Sequence, residues 1–217
     1  MKSELKILFE DCGDKLDINP NLKYCFYAKG CYCPPHKGHL YQICKFVKNN
    51  KNAKIIINQI GSESRHGVDQ YLNCKIMYLY LKKLLPRNSF ELIHNKTSLQ
   101  AQESKFAKKC DVFVNLRGIE RKIKDCKYER KSKYLSYYNK SKKLLAHGKE
   151  VIFYYTSRPL VATLCATKFV EHLIKYKNDE INLSQLYYFC PSGVSNRIKD
   201  YVIEKLLEMP YLKVNKK

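Results

Sequence analysis

The chain has 217 residues and a mass of 25.6 kDa, long enough to bury a core without disulfide or metal staples and short enough to expect one domain. Its formal net charge is +21, a positive field that attracts phosphates of any kind, whether on nucleotides or on nucleic acid. Ten cysteines are scattered singly apart from Cys31 and Cys33, with no CxxC pair or Cys/His spacing that suggests structural zinc, so they read as reduced thiols.

The opening stretch carries Glu4, Glu10, Asp11 and Asp14 and has no signal-like apolar core. No apolar run approaches the roughly 18 residues that a membrane helix needs. These features predict a cytoplasmic protein that does not engage a membrane. Residues 1–22 read as an N-terminal extension, about 23–208 as the core of a single domain spanning 1–217, and 209–217 as a basic, frayed tail.

Strand-like runs alternate with stretches of helical period, the pattern of a parallel sheet covered by helices. The expected strands are Lys23 to Ala28, Lys54 to Ile60, Ser89 to His94, Asp111 to Leu116, Glu150 to Thr156, and a sixth from Leu183 to Phe189. Ile55, Ile56 and Ile57, like Val112, Phe113 and Val114, place apolar side chains on both faces of the sheet, so both faces must be covered. The expected fold is therefore α/β, a Rossmann-like open parallel sheet of five or six strands with helices on both faces.

Leu40, Ile43, Cys44 and Val47 recur as one face of a first helix, and Leu72, Ile76, Leu79 and Leu84 repeat the pattern less cleanly. The basic segment from Tyr128 to Ala146 predicts an exposed helix stopped by His147 and Gly148. A last helix is expected from about Ser195, with Ile198, Val202, Leu206 and Leu207 on its inner face.

Between the first strand and the first helix lies Gly30, Cys31, Tyr32, Cys33, Pro34, Pro35, His36, Lys37, Gly38, His39, Leu40. In an open α/β sheet that position is the carboxyl end of a strand, where ligands bind. His36 and His39, three residues apart at the opening of a helix, can point together at one site. Gly38 lets the backbone come close, and the helix N-terminus favours phosphate.

This stretch resembles the loop of the HxGH nucleotidyltransferase superfamily, G-x-[FY]-x-P-x-H-x-G-H, at every fixed position. It is most similar to the GRFQPPHKGHL form of archaeal-type nicotinamide-nucleotide adenylyltransferases, with Cys31 and Cys33 standing where that form has Arg and Gln. The same superfamily closes its triphosphate site with S-[ST]-T-x-x-R or S-G-T-x-x-R just before its last helix. Here Ser192, Gly193, Val194, Ser195, Asn196 and Arg197 match at Ser192, Gly193 and Arg197. Val194 takes the place of the usual Thr, so a hydroxyl is lost from the phosphate grip unless Ser195 substitutes.

The resemblance implies transfer of a nucleoside monophosphate, AMP ahead of CMP, from an NTP such as ATP to a phosphorylated small molecule, with pyrophosphate released. It implies that His36 contacts the NTP phosphates and His39 the α-phosphate, with Ser192 and Arg197 on the β and γ groups. Gly30, Tyr32, Pro35, Lys37, Gly38, Gly193 and Ser195 would complete the nucleotide site, with Mg2+ bridging the phosphates. Arg65, in the loop Gly61 to Gly67, and Asn115, Arg117 and Arg158 at strand ends are candidate acceptor contacts.

Two rivals stay open. One is a cytidylyltransferase acting on phosphocholine or glycerol phosphate, beside which pantetheine phosphate is a further acceptor. The other is an idle relative that binds nucleotide or RNA through Lys122 to Lys143, where Tyr128, Tyr134, Tyr137 and Tyr138 are interleaved. An aminoacyl-tRNA synthetase is disfavoured by the short chain and the missing KMSKS-like signature. A homo-oligomer is left open, and the Lys-, Asn- and Ile-rich composition would suit a large DNA virus, in the host cytoplasm, an insect symbiont or a parasite.

Overall fold

The computed structural model describes residues 4–60, 68–95, 105–118, 149–156 and 164–209. Arg65, Arg158, the basic segment from Tyr128 to Ala146 with its stop at His147 and Gly148, and the tail beyond Met209 lie outside the described residues.

Six strands form one sheet: β1 (Leu5–Phe9), β2 (Tyr24–Gly30), β3 (Ile55–Ile60), β4 (Phe90–Asn95), β5 (Val112–Gly118) and β6 (Glu150–Thr156). All pairings are parallel, in the order β1-β6-β5-β2-β3-β4. From β2 the chain steps outward to β3 and β4, then returns to the other side of β2 for β5 and β6. The direction reverses between β2 and β5, so the crevice beyond their carboxyl ends is the topological switch point, where such sheets bind ligands.

Five helices are described: α1 (Lys37–Asn49), α2 (Gln70–Leu84), α3 (Ala166–Lys177), α4 (Leu183–Tyr187) and α5 (Asn196–Leu207). They pack on the face formed by Phe26, Ala28, Ile55, Ile57, Val112, Val114 and Ile152, in one cluster with Leu40, Ile43, Ile76, Phe169, Leu173, Val202 and Leu206. Each such aliphatic or aromatic side chain, fully buried, contributes roughly 1.5–3 kcal/mol from its removal from water. The opposite face gathers Ile7, Phe9, Cys25, Tyr27, Phe113, Val151, Phe153 and Tyr155, covered by Phe106, Ala107 and Cys110, with a helical turn at 105–107.

Two expectations need correction. Leu183 to Phe189 is not a strand but helix α4 followed by a turn. Asn182 caps it, with its backbone N–H donating to Gln185 Oε1 at 3.0 Å. A short apolar run such as Leu186, Tyr187, Tyr188, Phe189 fits buried helix as well as strand, and the polar cap decides. Its apolar residues serve the helical layer instead, where Leu186 is fully buried and Phe189 stacks on Phe169 with ring centroids 4.9 Å apart.

Residues 1–22 are also more than an extension, because Leu5–Phe9 forms the edge strand beside β6, in register from Leu5 opposite Val151 to Phe9 opposite Tyr155. Ile7 and Phe9 point into the second core, and Phe9 stacks on Tyr155 at 5.1 Å. The inner face of α2 is Leu72, Asn73, Ile76, Met77, Tyr80 and Leu81, with Leu79 and Leu84 half-buried on its flanks. In α5 the buried stripe is Val202, Ile203 and Leu206, while Ile198 and Leu207 are half-buried.

Candidate functional site

Gly30 ends β2 because the chain turns back on itself there: a Cβ on Gly30 would lie 2.8 Å from the Tyr32 ring. Tyr32 takes a left-handed backbone, φ 45°, and the Cys33–Pro34 peptide is cis. Cys33, Pro34, Pro35 and His36 are all buried, so the loop is packed along its length.

His36 is the N-cap of α1 and is only 2% exposed. Its Nδ1 accepts from the Gly38 backbone N–H at 3.1 Å, which places the ring proton on Nε2. The two motif histidines meet: the His36 and His39 rings lie 3.8 Å apart between centroids, and Tyr32 closes edge-on to His39 at 5.4 Å. Gly38 is required by this packing, since a Cβ there would fall 2.9 Å from His36 Cε1 and 3.3 Å from the Leu164 carbonyl oxygen.

The helix N-terminus is anchored from the other end of the chain. Lys37 N–H donates to the Phe189 carbonyl at 2.8 Å, and Lys37 Nζ sits 3.6 Å above the Tyr188 ring. That contact carries the segment after α4 to the histidine loop. An open cleft of about 440 Å³ results, lined by Lys37 and Gly38 on one side and by Tyr188, Pro191, Ser192 and Gly193 on the other, with Leu40, Tyr41 and Cys44 along its α1 wall. Burial pushes the Cys44 thiol up to about 11 and also raises Cys190, so neither thiol supplies a thiolate near neutral pH.

The second motif is built differently. Ser192 and Gly193 are exposed at the cleft, while Val194 is 4% exposed and belongs to the core beneath. Ser195 is the N-cap of α5 by its backbone, makes no side-chain capping bond, and is exposed. Arg197 is exposed in the first turn of α5 and, like Ser195, His36 and His39, is not among the residues lining the cleft.

Of the acceptor candidates, Asn115 and Arg117 are described. Asn115 is 1% exposed and stands at the middle of β5 rather than at its end, opposite Tyr27 of β2 in the register. The Arg117 guanidinium lies 6.0 Å from the Phe153 ring centroid, and its carbonyl accepts from Thr156 Oγ1 at 3.4 Å.

The structure adds polar residues at the same edge that the motifs do not reach. Asn58 Nδ2 donates to the Tyr27 hydroxyl at 2.6 Å, and Asn58 and Gln59 are 1% and 2% exposed. Asn73 of α2 donates through Nδ2 to the Cys31 carbonyl at 3.2 Å. The available signal was the break from three isoleucines to Asn58 and Gln59, two amides at the carboxyl end of a strand otherwise buried on both faces.

Among the described residues there is no group of three or more His, Cys, Asp or Glu side chains that could hold a metal ion, and no helix long and apolar enough to cross a membrane. No protein-family model matches the chain, and no curated protein matches it.

Proposed function

We propose that the chain is a nucleotidyltransferase that moves a nucleoside monophosphate, AMP in preference to CMP, from an NTP onto a phosphorylated small molecule such as nicotinamide mononucleotide. The observation that carries this reading is the closely apposed His36 and His39 pair at the N-terminus of α1, at the switch point of an all-parallel sheet, beside a cleft lined by Lys37, Gly38, Ser192 and Gly193.

An acceptor phosphate oxygen is already ionised near neutral pH, so it needs no protein base. It attacks the α-phosphorus while the bond from that phosphorus to the β-bridging oxygen breaks, and pyrophosphate leaves. Catalysis then rests on placement and on charge stabilisation. His39, held between Tyr32 and His36, supplies a donor to the α-phosphate as negative charge moves onto it. The Gly38 and His39 backbone at the helix start adds its dipole. Lys37, Ser192 and Gly193 flank the cleft where the remaining phosphates would lie, and Arg197 would swing in from α5 as a forked donor. The described residues provide no carboxylate cage, so Mg2+ would enter with the triphosphate as part of the substrate.

A second reading, an idle relative that binds single-stranded nucleic acid, is favoured by a surface on α2. Tyr71 is 77% exposed and Tyr78 46%, with Lys75 and Lys82 on the same helical stripe. Pyrophosphate release, measured with ATP and CTP separately against nicotinamide mononucleotide, phosphopantetheine, phosphocholine and glycerol 3-phosphate, separates these readings. Release with one pair, lost in His39→Ala, establishes reaction and acceptor together. Salt-sensitive binding of single strands with no release from any pair favours the second reading.

A further inference from the structure

Helix α2 presents two stripes of opposite character. Leu72, Asn73, Ile76, Met77, Tyr80 and Leu81 are buried, whereas Tyr71, Lys75, Tyr78 and Lys82, spaced i, i+4, i+7 and i+11, face solvent. Tyr71 is 77% exposed and Tyr78 46%, so the fold gains little from either ring. A lone exposed aromatic is ordinary, but two on one stripe, each beside a lysine, ask for a partner.

Charge says which kind. From Gln70 to Phe90 the chain has no Asp or Glu, while Lys75, Lys82, Lys83 and Arg87 are all exposed. Lys82 Nζ lies 5.9 Å from the Tyr78 ring centroid, and Lys75 Nζ 5.5 Å from that of Tyr201 on α5, so cations and rings are interleaved. On α5 itself Asp200, Glu204 and Glu208 alternate with Lys199 and Lys205, so the positive track follows α2 and not α5. A second copy seated on this face would set lysine against lysine, on a helix with no acid to answer them.

Tyr71 and Tyr78 stand about 10 Å apart along the helix axis, some three times the roughly 3.4 Å step of a duplex strand. In a duplex, neighbouring bases cover both faces of each base, and neither ring could stack. A single strand drawn out of its stack offers free base faces to the tyrosines and phosphates to the lysines between and beyond them.

We propose that the outward stripe of α2 is a docking track for single-stranded nucleic acid, with Tyr71 and Tyr78 stacking on bases and Lys75, Lys82, Lys83 and Arg87 meeting phosphates. The inference takes up the surface named for the second reading of function but does not rest on an idle cleft. None of these six residues lines the cleft beside the histidine loop, so the track serves an active chain as well as an inactive one.

The test is fluorescence anisotropy of a labelled oligo-dT strand of roughly 12 nucleotides, and of its duplex with oligo-dA, titrated with the intact chain over a salt series. Tyr71→Ala combined with Tyr78→Ala should weaken single-strand binding at least about tenfold, keep its salt dependence, and leave duplex binding unchanged. Tyr71→Phe combined with Tyr78→Phe keeps both rings and should bind within about twofold of the unmodified chain. Lys75→Gln combined with Lys82→Gln should reduce the slope of log affinity against log salt by about 1.4, the counterion release of two phosphates on a single strand. Tm and any pyrophosphate release should stay unchanged in all three variants, because the altered side chains are exposed and lie outside the cleft.

Single-strand affinity untouched by the double alanine variant, an equal loss on the duplex, or weak binding by the phenylalanine variant would overturn the proposal. So would loss in the double alanine variant of binding to phosphatidylserine–phosphatidylcholine vesicles, or of self-association in light scattering, with the oligonucleotide bound as before. Binding along the track without pyrophosphate release from any NTP would overturn the transferase reading and leave the track standing.

Discussion

The histidine loop and the Ser192 to Arg197 loop meet at one cleft but are built to different standards of rigidity. In the first, Cys33 through His36 are buried, Gly30 and Gly38 are fixed by close approach, and His36 is locked to the Gly38 N–H. In the second, only Val194 is held by the core, while Ser192, Gly193, Ser195 and Arg197 are exposed. If the proposed transfer holds, the difference means that the group meeting the reacting phosphorus is preorganised, whereas the groups expected on the outer phosphates close around a nucleotide that brings its own order. Preorganised donors lose the most when removed, because nothing else in the site takes their place.

The sharpest way to break this contrast is His39→Ala. His39 is half-buried, with its ring tilted against His36, rather than part of the deep core, so the fold should survive while turnover falls by roughly 10²- to 10³-fold. Turnover within a few fold of the unmodified chain, on material with an unchanged circular dichroism spectrum, would remove His39 from the chemistry. Gly38→Ala attacks the same loop through its backbone. Its Cβ would meet His36 Cε1 at 2.9 Å and Leu164 O at 3.3 Å, and the second contact is backbone that yields little. A loss of about 1–3 kcal/mol in chemical denaturation is expected. It should be accompanied by a fall in kcat beyond what the folded fraction explains, since His36 must move.

How far this was legible beforehand differs between the same two regions. The five strands from β2 to β6 and helices α1, α2 and α5 follow from apolar runs and helical spacing, because their side chains are buried by period. Helix α4 is not legible as a helix because its apolar residues carry no period over so few positions, and β1 is obscured by the acidic residues around Ile7 and Phe9, which share one face. The histidines are legible from spacing, but the Lys37 clamp to Phe189 and the approach of the Leu164 carbonyl to Gly38 arise from contacts between segments distant in the chain.

Arg197→Ala sharpens the other half of the comparison. The side chain is exposed, so Tm should hold. If Arg197 folds onto the outer phosphates only when nucleotide binds, the KM for NTP should rise about tenfold, the cost of one charge-assisted hydrogen bond, with a smaller change in kcat. A fall in kcat as deep as that of His39→Ala would instead make both loops equally preorganised at the transition state, and the contrast between them would fail.

The smallest effect expected is also the most particular to this chain. The motif that this loop resembles places Thr where Val194 stands, and a hydroxyl there suggests that introducing it would improve the phosphate grip. The structure argues the reverse. Val194 is 4% exposed and packs in the cluster with Val202, Leu206 and Phe189, with its N–H donating to the Pro191 carbonyl at 3.3 Å. A threonine would occupy nearly the same volume but bury a hydroxyl beside apolar neighbours, at a cost of about 1 kcal/mol. Val194→Thr should therefore lower Tm by a few degrees, roughly 2–4 °C for a chain of this size, and leave the KM for NTP within about twofold. A severalfold fall in that KM would mean that this position turns outward when nucleotide binds, and that the second loop rearranges further than its packed valine implies.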